Sequence, residues 1–315
     1  MSVYITDYIE NPDIERYILG DLLSKNKETA EVILVWHQKI DTDYLNLFPN
    51  LKGVVRYGVG YDAIDLEAIK NKSIVFCNTP DYGTDEVSDT AIGMIMSITR
   101  GISRYDYFCR DYKDNSWQEN TITNLRRSNK LVLGVIGAGR IGGSILRKAK
   151  AIGFNPIFFD PYRDRGYEKM LGVDRVDSLN ELLELADVVS INTPLTDKTR
   201  GMVNDDFISK MKYGAALINT ARGEILENID NFIEPLKSGK ITGLALDVLP
   251  EEPPKSLGLI SSWKSRERWL DGKLIINPHT SYYTQESFKE MRVKASENVK
   301  RIIEGKTPFN TITSI

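Results

Sequence analysis

Short apolar runs and helically spaced apolar stripes alternate along this chain, and the alternation predicts its elements. Residues 3–6, 32–36, 53–57 and 74–77 are short apolar runs suited to buried strands. Helical pieces lie between them, at 14–23, 44–48 and 66–70. Strands that alternate with helices predict a parallel sheet covered by helices. A long helix follows. Thr84 suits its cap and Asp85 and Glu86 its positive end. Val87, Ala91, Met94, Ile95 and Ile98 form one apolar stripe, which can run on through Tyr105 and Phe108. The polar stretch 114–129, with Trp117 inside it, reads as an arm connecting two domains.

The alternation resumes past the arm. Runs at 131–136, 157–159, 187–191, 215–218, 242–246 and 274–276 predict strands, with helices near 205–211 and 226–236. Ser178-Leu-Asn-Glu181 fits a capping box opening a further helix. Phe288, Met291, Ala295, Val299, Ile302 and Ile303 mark a last helix, and Gly305 suits its end. That helix is expected to return to the first domain. The expected organisation is a discontinuous first domain, residues 1–99 and 282–315, and a second domain, residues 100–281. A length of 315 residues suffices for two cores.

One stretch carries a specific signal. After the run at 131–136, Gly137, Gly139 and Gly142 fall in the spacing G-x-G-x-x-G. Ile145, Ala149 and Ile152 then recur at helical spacing, a second strand follows, and Asp160 closes the unit. A lone glycine pattern often marks only a turn. Strand, glycines, helix, strand and acid in that order predict a dinucleotide site. Gly137 permits the tight turn, Gly139 keeps side-chain atoms away from a pyrophosphate, and Gly142 lets the helix pack on the strand. The helix N-terminus offers free N–H groups and a positive dipole end to the phosphates. Asp160 can accept from both ribose hydroxyls and would repel a 2′-phosphate, which favours NAD over NADP. Arg163 and Arg165 nearby keep NADP as the less favoured alternative.

Composition narrows the class. A formal net charge of -3 gives no reason to expect nucleic acid as a partner. Cys77 and Cys109 are the two cysteines and lack metal-ligand spacing, so neither a metal site nor a disulfide framework is expected, and a reducing cytoplasm is. The first residues carry no basic, apolar leader, and no run approaches the roughly 20 apolar residues of a membrane helix.

Ligands of open α/β sheets bind outside the carboxyl ends of the strands. Four segments lie just past predicted strand ends: Asn192-Thr193-Pro194, Asn219-Thr220-Ala221-Arg222-Gly223, Asp247-Val-Leu-Pro-Glu-Glu252-Pro253 and Asn277-Pro278-His279-Thr280. Three of them bring one arginine, acids that include the adjacent Glu251 and Glu252, and one imidazole to the nucleotide edge. Hydride transfer to a carbonyl needs a proton donor for the oxygen, and histidine suits that role. A carboxylate beside it favours the protonated ring, a role open to Glu251 or Glu252 from the residues alone. Arginine can hold a carboxylate with two bonds. The set suits a 2-keto acid and 2-hydroxy acid pair. The other histidine, His37, follows an apolar strand and reads as structural.

At these motifs the chain resembles the D-isomer-specific 2-hydroxyacid dehydrogenases, from about Gly53 to Pro308. The resemblance implies two Rossmann-like α/β domains, a flavodoxin-like substrate domain and an NAD-binding Rossmann domain, with a cleft between them. It implies Arg222, Glu252 and His279 as catalytic residues. For the cofactor it adds Arg140, Ile141, Thr193, Pro194, Thr220, Ala221 and Asp247 to the glycines and Asp160, with Arg222 and His279 beside the nicotinamide. Arg56-Tyr-Gly-Val-Gly-Tyr-Asp62 is similar to the loop whose backbone holds the substrate carboxylate, here Gly58, Val59 and Gly60. Two glycines after a strand fit an anion nest, and equally an ordinary turn. Arg56, Tyr282 and Met291 complete the expected substrate contacts.

Within the family, Pro278-His-Thr-Ser-Tyr-Tyr283 and Phe288-Lys-Glu-Met-Arg292 resemble the C-terminal-binding-protein subgroup. That likeness implies a homodimer formed through the long helix and the arm. It also raises an alternative, an NAD(H)-responsive scaffold with little turnover. Tyr282 departs from the subgroup's tryptophan. Segment 255–272, with Trp263 and Trp269, is longer than the family pattern and is expected as either a surface loop or a flap that brings an aromatic to the cleft or the dimer.

Overall fold

The computed structural model describes residues 2–7, 9–110, 112, 117–119, 122–270 and 272–312. The chain divides into two compact units, Met1–Gly83 with Tyr283–Ile315, and Thr84–Tyr282.

The first unit contains β1 (Val3–Ile5), α1 (Asp13–Leu19), β2 (Val32–Val35), α2 (Thr42–Leu45), β3 (Gly53–Arg56), α3 (Leu66–Asn71) and β4 (Val75–Cys77). The strands pair in that order and all run parallel. Leu23 adds a single parallel bridge to Val3 on the open side of β1. Counting that rudimentary strand, the order becomes 2-1-3-4-5, the flavodoxin order. Asp41 and Asp65 cap α2 and α3 by accepting from the Tyr44 and Ala68 N–H groups. The C-terminal helix, Gln285–Ile303, also belongs to this unit; its capping box is formed by Thr284 and Ser287. Its inward face buries Met291, Ala295 and Val299. A Cβ on Gly53 would lie 2.9 Å from Ile302, so glycine lets this helix sit on β3.

The second unit contains α4 (Thr84–Thr99), α5 (Ile102–Arg110), β5 (Val132–Ile136), α6 (Arg140–Ile152), β6 (Asn155–Phe159), α7 (Tyr167–Leu171), β7 (Asp174–Arg175), α8 (Leu179–Leu185), β8 (Val188–Ile191), α9 (Asp205–Lys210), β9 (Ala215–Asn219), α10 (Ile233–Ser238), β10 (Ile241–Leu246), α11 (Gly258–Lys264) and β11 (Leu274–Ile276). Its parallel sheet runs β11-β10-β9-β8-β5-β6-β7, the Rossmann order with one strand added. Alternate strand residues feed two cores. Ile136, Val189, Leu217, Leu244 and Leu246 enter one; Leu133, Val135, Val188, Ile218 and Ala245 enter the other.

Four expectations are corrected. The second unit begins at Thr84, not Arg100, because Ala91, Met94 and Ile95 of α4 pack into the core that β5 and α6 share; at the other end the boundary falls after Tyr282 rather than Ser281. The long helix stops before Gly101, whose φ is 66°, and α5 starts afresh with no buried residue. The helix expected across 226–236 is split into a 3-10 turn, Ile229–Phe232, capped by Asn228, and α10 with Pro235 in its first turn. Segment 255–272 folds onto its own unit: Leu259, Ile260 and Leu270 are buried, and Trp263 and Trp269 pack against the same core. Both tryptophans are used there, which argues against the flap. Of the arm, Trp117 is exposed, while 114–116 and 120–121 lie outside the described residues.

The seat of α4 on β10 can be tested. A Cβ on Gly243 would come 2.4 Å from Ile98. Gly243→Ala should cost about 1–3 kcal/mol in urea unfolding. Ile98→Ala should make the double variant less destabilised than the sum of the two singles; simple additivity would contradict this packing.

Candidate functional site

The glycine turn joins β5 to α6 in the second unit. Gly137 has φ 87°, and a Cβ there would lie 2.7 Å from the Asn192 carbonyl oxygen. A Cβ on Gly142 would lie 1.9 Å from the Gly137 oxygen, so only glycine allows this helix entry. Gly139 is different: the nearest atom to a Cβ is the Arg163 guanidinium at 3.6 Å. Its backbone faces open space, as an approaching pyrophosphate requires. No side chain caps α6, whose first turn holds Arg140 and Ile141, so its leading N–H groups are available to an anion. Asp160, past β6, is buried. Its carboxylate accepts from the Ala138 N–H at 2.8 Å and the Tyr162 N–H at 2.9 Å. It fixes the turn, and each oxygen keeps a lone pair for a ribose hydroxyl.

The loops after β8 and β9 show a second fit to a dinucleotide. The Thr193 and Thr220 hydroxyls and the Asn192 side-chain oxygen are buried with no hydrogen-bond partner among the described residues. Buried polar atoms of this kind call for a partner. Pro194 follows Thr193 and accepts from the Thr199 hydroxyl at 2.7 Å. Asn219 braces the next loop, accepting from the Ala221 N–H at 3.0 Å and donating to the Arg222 carbonyl at 2.9 Å. Gly223 lets this loop lie against the next one, since a Cβ would fall 2.0 Å from the Leu249 backbone.

The loops after β10 and β11 bring two of the expected catalytic residues, Glu252 and His279, together. Glu252 Oε2 is 2.7 Å from His279 Nδ1, and Glu252 Oε1 accepts from the Leu249 N–H at 2.8 Å. The structure thereby chooses Glu252; Glu251 pairs instead with Lys255 at 2.9 Å. Burial alone would raise the Glu252 pKa. The hydrogen bonds from His279 and Leu249, with the positive charges of His279 and Arg222, outweigh it and hold the carboxyl below its ordinary 4.5. His279 has a φ of 55°, uncommon for a side-chain-bearing residue. Asp247 enforces it: the buried carboxylate accepts from the N–H groups of Thr280 and Ser281 and from the Ser281 hydroxyl, and the Asp247 carbonyl accepts from the His279 N–H. Asp247 was expected only beside a nicotinamide; its structural engagement is with the histidine turn. Tyr282 is half-buried at the end of the same segment.

The first unit carries the other expected contacts. The carbonyls of Arg56, Gly58 and Val59 accept from the Thr79 hydroxyl, the Thr79 N–H and the Asn78 amide at 3.1, 3.0 and 2.7 Å. Gly58 has φ 104°. With the carbonyls tied back, the N–H groups of Val59 and Gly60 donate to no acceptor among the described residues, as an anion nest requires. The Arg56 guanidinium folds back on this loop, with Nη1 buried and 3.2 Å from where a Gly58 Cβ would stand. Met291 is corrected: at 1% exposure it is a core residue of the C-terminal helix, with no surface for a substrate. The backbone N–H of His37 donates to Asp7 at 2.6 Å, and its side chain is exposed. The Asp247 tether and the Asn219 brace were missed as roles, although both residues stood inside strand-end motifs.

A family model described as "D-isomer specific 2-hydroxyacid dehydrogenase, NAD binding domain" matches residues 92–281. D-3-phosphoglycerate dehydrogenase of Methanocaldococcus jannaschii is 34% identical over 292 residues, 93% of this chain and 53% of that protein. The chain thus spans about half of that relative's length. Glyoxylate reductase of Thermococcus litoralis is 31% identical, over 93% of this chain and 86% of that protein. Among solved structures, D-lactate dehydrogenase from Aquifex aeolicus, complexed with NAD and lactic acid, matches with a TM-score of 0.85 and 29% identity, covering 100% of both chains.

The depressed Glu252 pKa has a stability consequence. An acid held below its unfolded value stabilises the fold above that value, and the gain is lost as pH falls through the folded one. Glu252→Gln should therefore unfold at a lower temperature than the unsubstituted protein near neutral pH, and the gap should close as pH drops through and below 4.5. A gap independent of pH would exclude the carboxylate as its source.

Proposed function

The chain belongs to the D-isomer-specific 2-hydroxyacid dehydrogenases, and on that premise we propose that it interconverts a 2-keto acid and a D-2-hydroxy acid with NAD(H). The observation that carries the proposal is the Glu252–His279 pair at 2.7 Å, with the Arg222 charge acting on the same carboxylate. In the reducing direction, NADH would, when bound, supply the hydride for the carbonyl carbon. His279 gives the carbonyl oxygen its proton from Nε2, because Nδ1 is committed to Glu252. Glu252 keeps the ring in one orientation and stabilises its positive form before transfer. Arg222 binds the substrate carboxylate and polarises the adjacent carbonyl. The first unit is proposed to contribute the Gly58, Val59 and Gly60 N–H groups to binding of a substrate carboxylate. In the reverse direction His279 takes the hydroxyl proton.

The cofactor would be held by the glycine turn, the first turn of α6 and Asp160, with the buried Thr193 and Thr220 hydroxyls available to its polar groups. The three relatives named above act on small acids, which supports a small 2-keto acid as substrate. The proposed assembly is a homodimer. Supporting it, α5 buries no residue, its Ile102 is more than half exposed, and Tyr112 and Trp117, also more than half exposed, line an aromatic groove of about 390 Å³. Among the described residues no helix is long and apolar enough to cross a membrane. The segments from Pro278 and Phe288 that resemble the C-terminal-binding-protein subgroup support a second reading, a scaffold that senses NAD(H).

One assay separates the readings. The purified protein is mixed with NADH, and in parallel NADPH, and with a panel of 2-keto acids while nicotinamide absorbance is followed. Turnover with NADH is expected for at least one acid, with kcat falling about 10²–10⁴-fold in His279→Ala. Tight NADH binding without turnover on any acid would instead establish the scaffold.

A further inference from the structure

The first unit buries a charged network that the chemistry above does not use. Glu15, in the first turn of α1, is 0% exposed. Its Oε1 accepts from the Tyr57 hydroxyl at 2.9 Å and from Arg292 Nε at 3.0 Å, and its Oε2 from Arg292 Nη2 at 2.6 Å. Arg292, on the C-terminal helix, also donates to the Asn11 carbonyl at 2.9 Å and to Asp13 at 2.7 Å. Its guanidinium lies over the Phe288 ring, which packs on Trp36, which packs on Tyr57. A buried ion pair is a poor device for stability, since apolar residues of similar size often do as well or better. What it provides is direction: each member has one place to be.

Tyr57 is the residue directly before the nest. Its ring is fully buried and its N–H donates to the Val35 carbonyl at 2.8 Å. Asn78 and Thr79 hold the nest by its carbonyls; Glu15 holds it by the Tyr57 side chain. We propose that Tyr57, held by the Glu15–Arg292 pair, is a positioning residue that keeps the Gly58, Val59 and Gly60 N–H groups aimed at a substrate carboxylate. This rests on the carboxylate-binding reading of that loop given above. Without the phenol bond the loop samples orientations that do not bind, and apparent affinity falls by the fraction still competent.

The test uses Tyr57→Phe, which removes one oxygen and leaves Glu15 neutralised by Arg292, and Arg292→Lys, which keeps the charge and loses the fork. Initial rates are measured on a keto acid the unsubstituted protein turns over. Calorimetry follows binding of oxamate, an unreactive carboxylate shaped like a 2-keto acid, in the presence of NADH. Tyr57→Phe should raise both KM and the oxamate Kd roughly tenfold, the effect of one hydrogen bond to a charged acceptor. kcat and NADH affinity should hold within about twofold, the signature of lost ground-state binding. Arg292→Lys should shift the same two quantities in the same direction. A lower Tm with KM and oxamate binding unchanged would reduce the network to a structural role and overturn the proposal, as would a fall in kcat at constant KM. Oxamate binding without turnover of any keto acid would end the enzymatic reading while the Kd comparison still decides this one. No oxamate binding to the unsubstituted protein would remove the nest reading and this proposal with it.

Discussion

The site depends on a carboxylate that cannot be left alone. Asp247 is 1% exposed at the end of β10, and burying an unpaired charge costs several kcal/mol. Among the described residues, its donors come from the segment after β11: two backbone N–H groups and a hydroxyl, at Thr280 and Ser281. Satisfying Asp247 therefore dictates the course of that segment. The chain must turn through φ 55° at His279 to deliver those groups, a conformation its side chain disfavours. The imidazole then lands on Glu252. The imidazole is placed by the solvation need of a neighbour whose carboxylate bonds the turn and not the ring.

A similar constraint, steric rather than electrostatic, brings the other loops into range. The backbone after β9 approaches that after β10 so closely at Gly223 that any side chain would occupy the Leu249 peptide. That approach puts Arg222 where its charge reaches Glu252. The glycine turn after β5 obeys the same rule at Gly142. In a parallel sheet every strand delivers its following loop to one edge. The sheet sets the edge, and the glycines set how near the loops come.

The legibility of the sequence follows from these causes. The central strands of the second sheet, β5, β8, β9 and β10, are buried on both faces, so their apolar runs stand out, and the site motifs could be placed at strand ends before any coordinates. The glycine turn was readable because backbone needs restrict residue type there, whereas Arg222 and His279 were singled out by side-chain chemistry just past predicted strand ends. Glu252 could not be told from Glu251 by residue chemistry, since the choice lies in which carboxylate the folded loop turns inward. The boundary at Thr84 was hidden because the apolar stripe of α4 says that it packs, not on what. Met291 illustrates the opposite error: a motif position was read as a contact, while helical spacing with Ala295 and Val299 already gave it a core face. Helix α11 was missed because it is short, and its tryptophans read equally well as surface or core.

The Glu15–Arg292 pair was invisible for a deeper reason. Its partners lie 277 residues apart, and each alone is an unremarked charge on a helix. Only the closed first unit makes them neighbours, and only burial makes their pairing obligatory. Removing one partner would strand a charge in an apolar interior, so neither can change without the other. A network like this transmits position rather than energy. It ties the last helix of the chain to the first, and both to the residue ahead of a glycine loop whose N–H groups are already turned outward. The precision such a loop needs is finer than apolar packing alone confers, because van der Waals contacts tolerate small rotations that a hydrogen bond from a phenol to a fixed carboxylate does not.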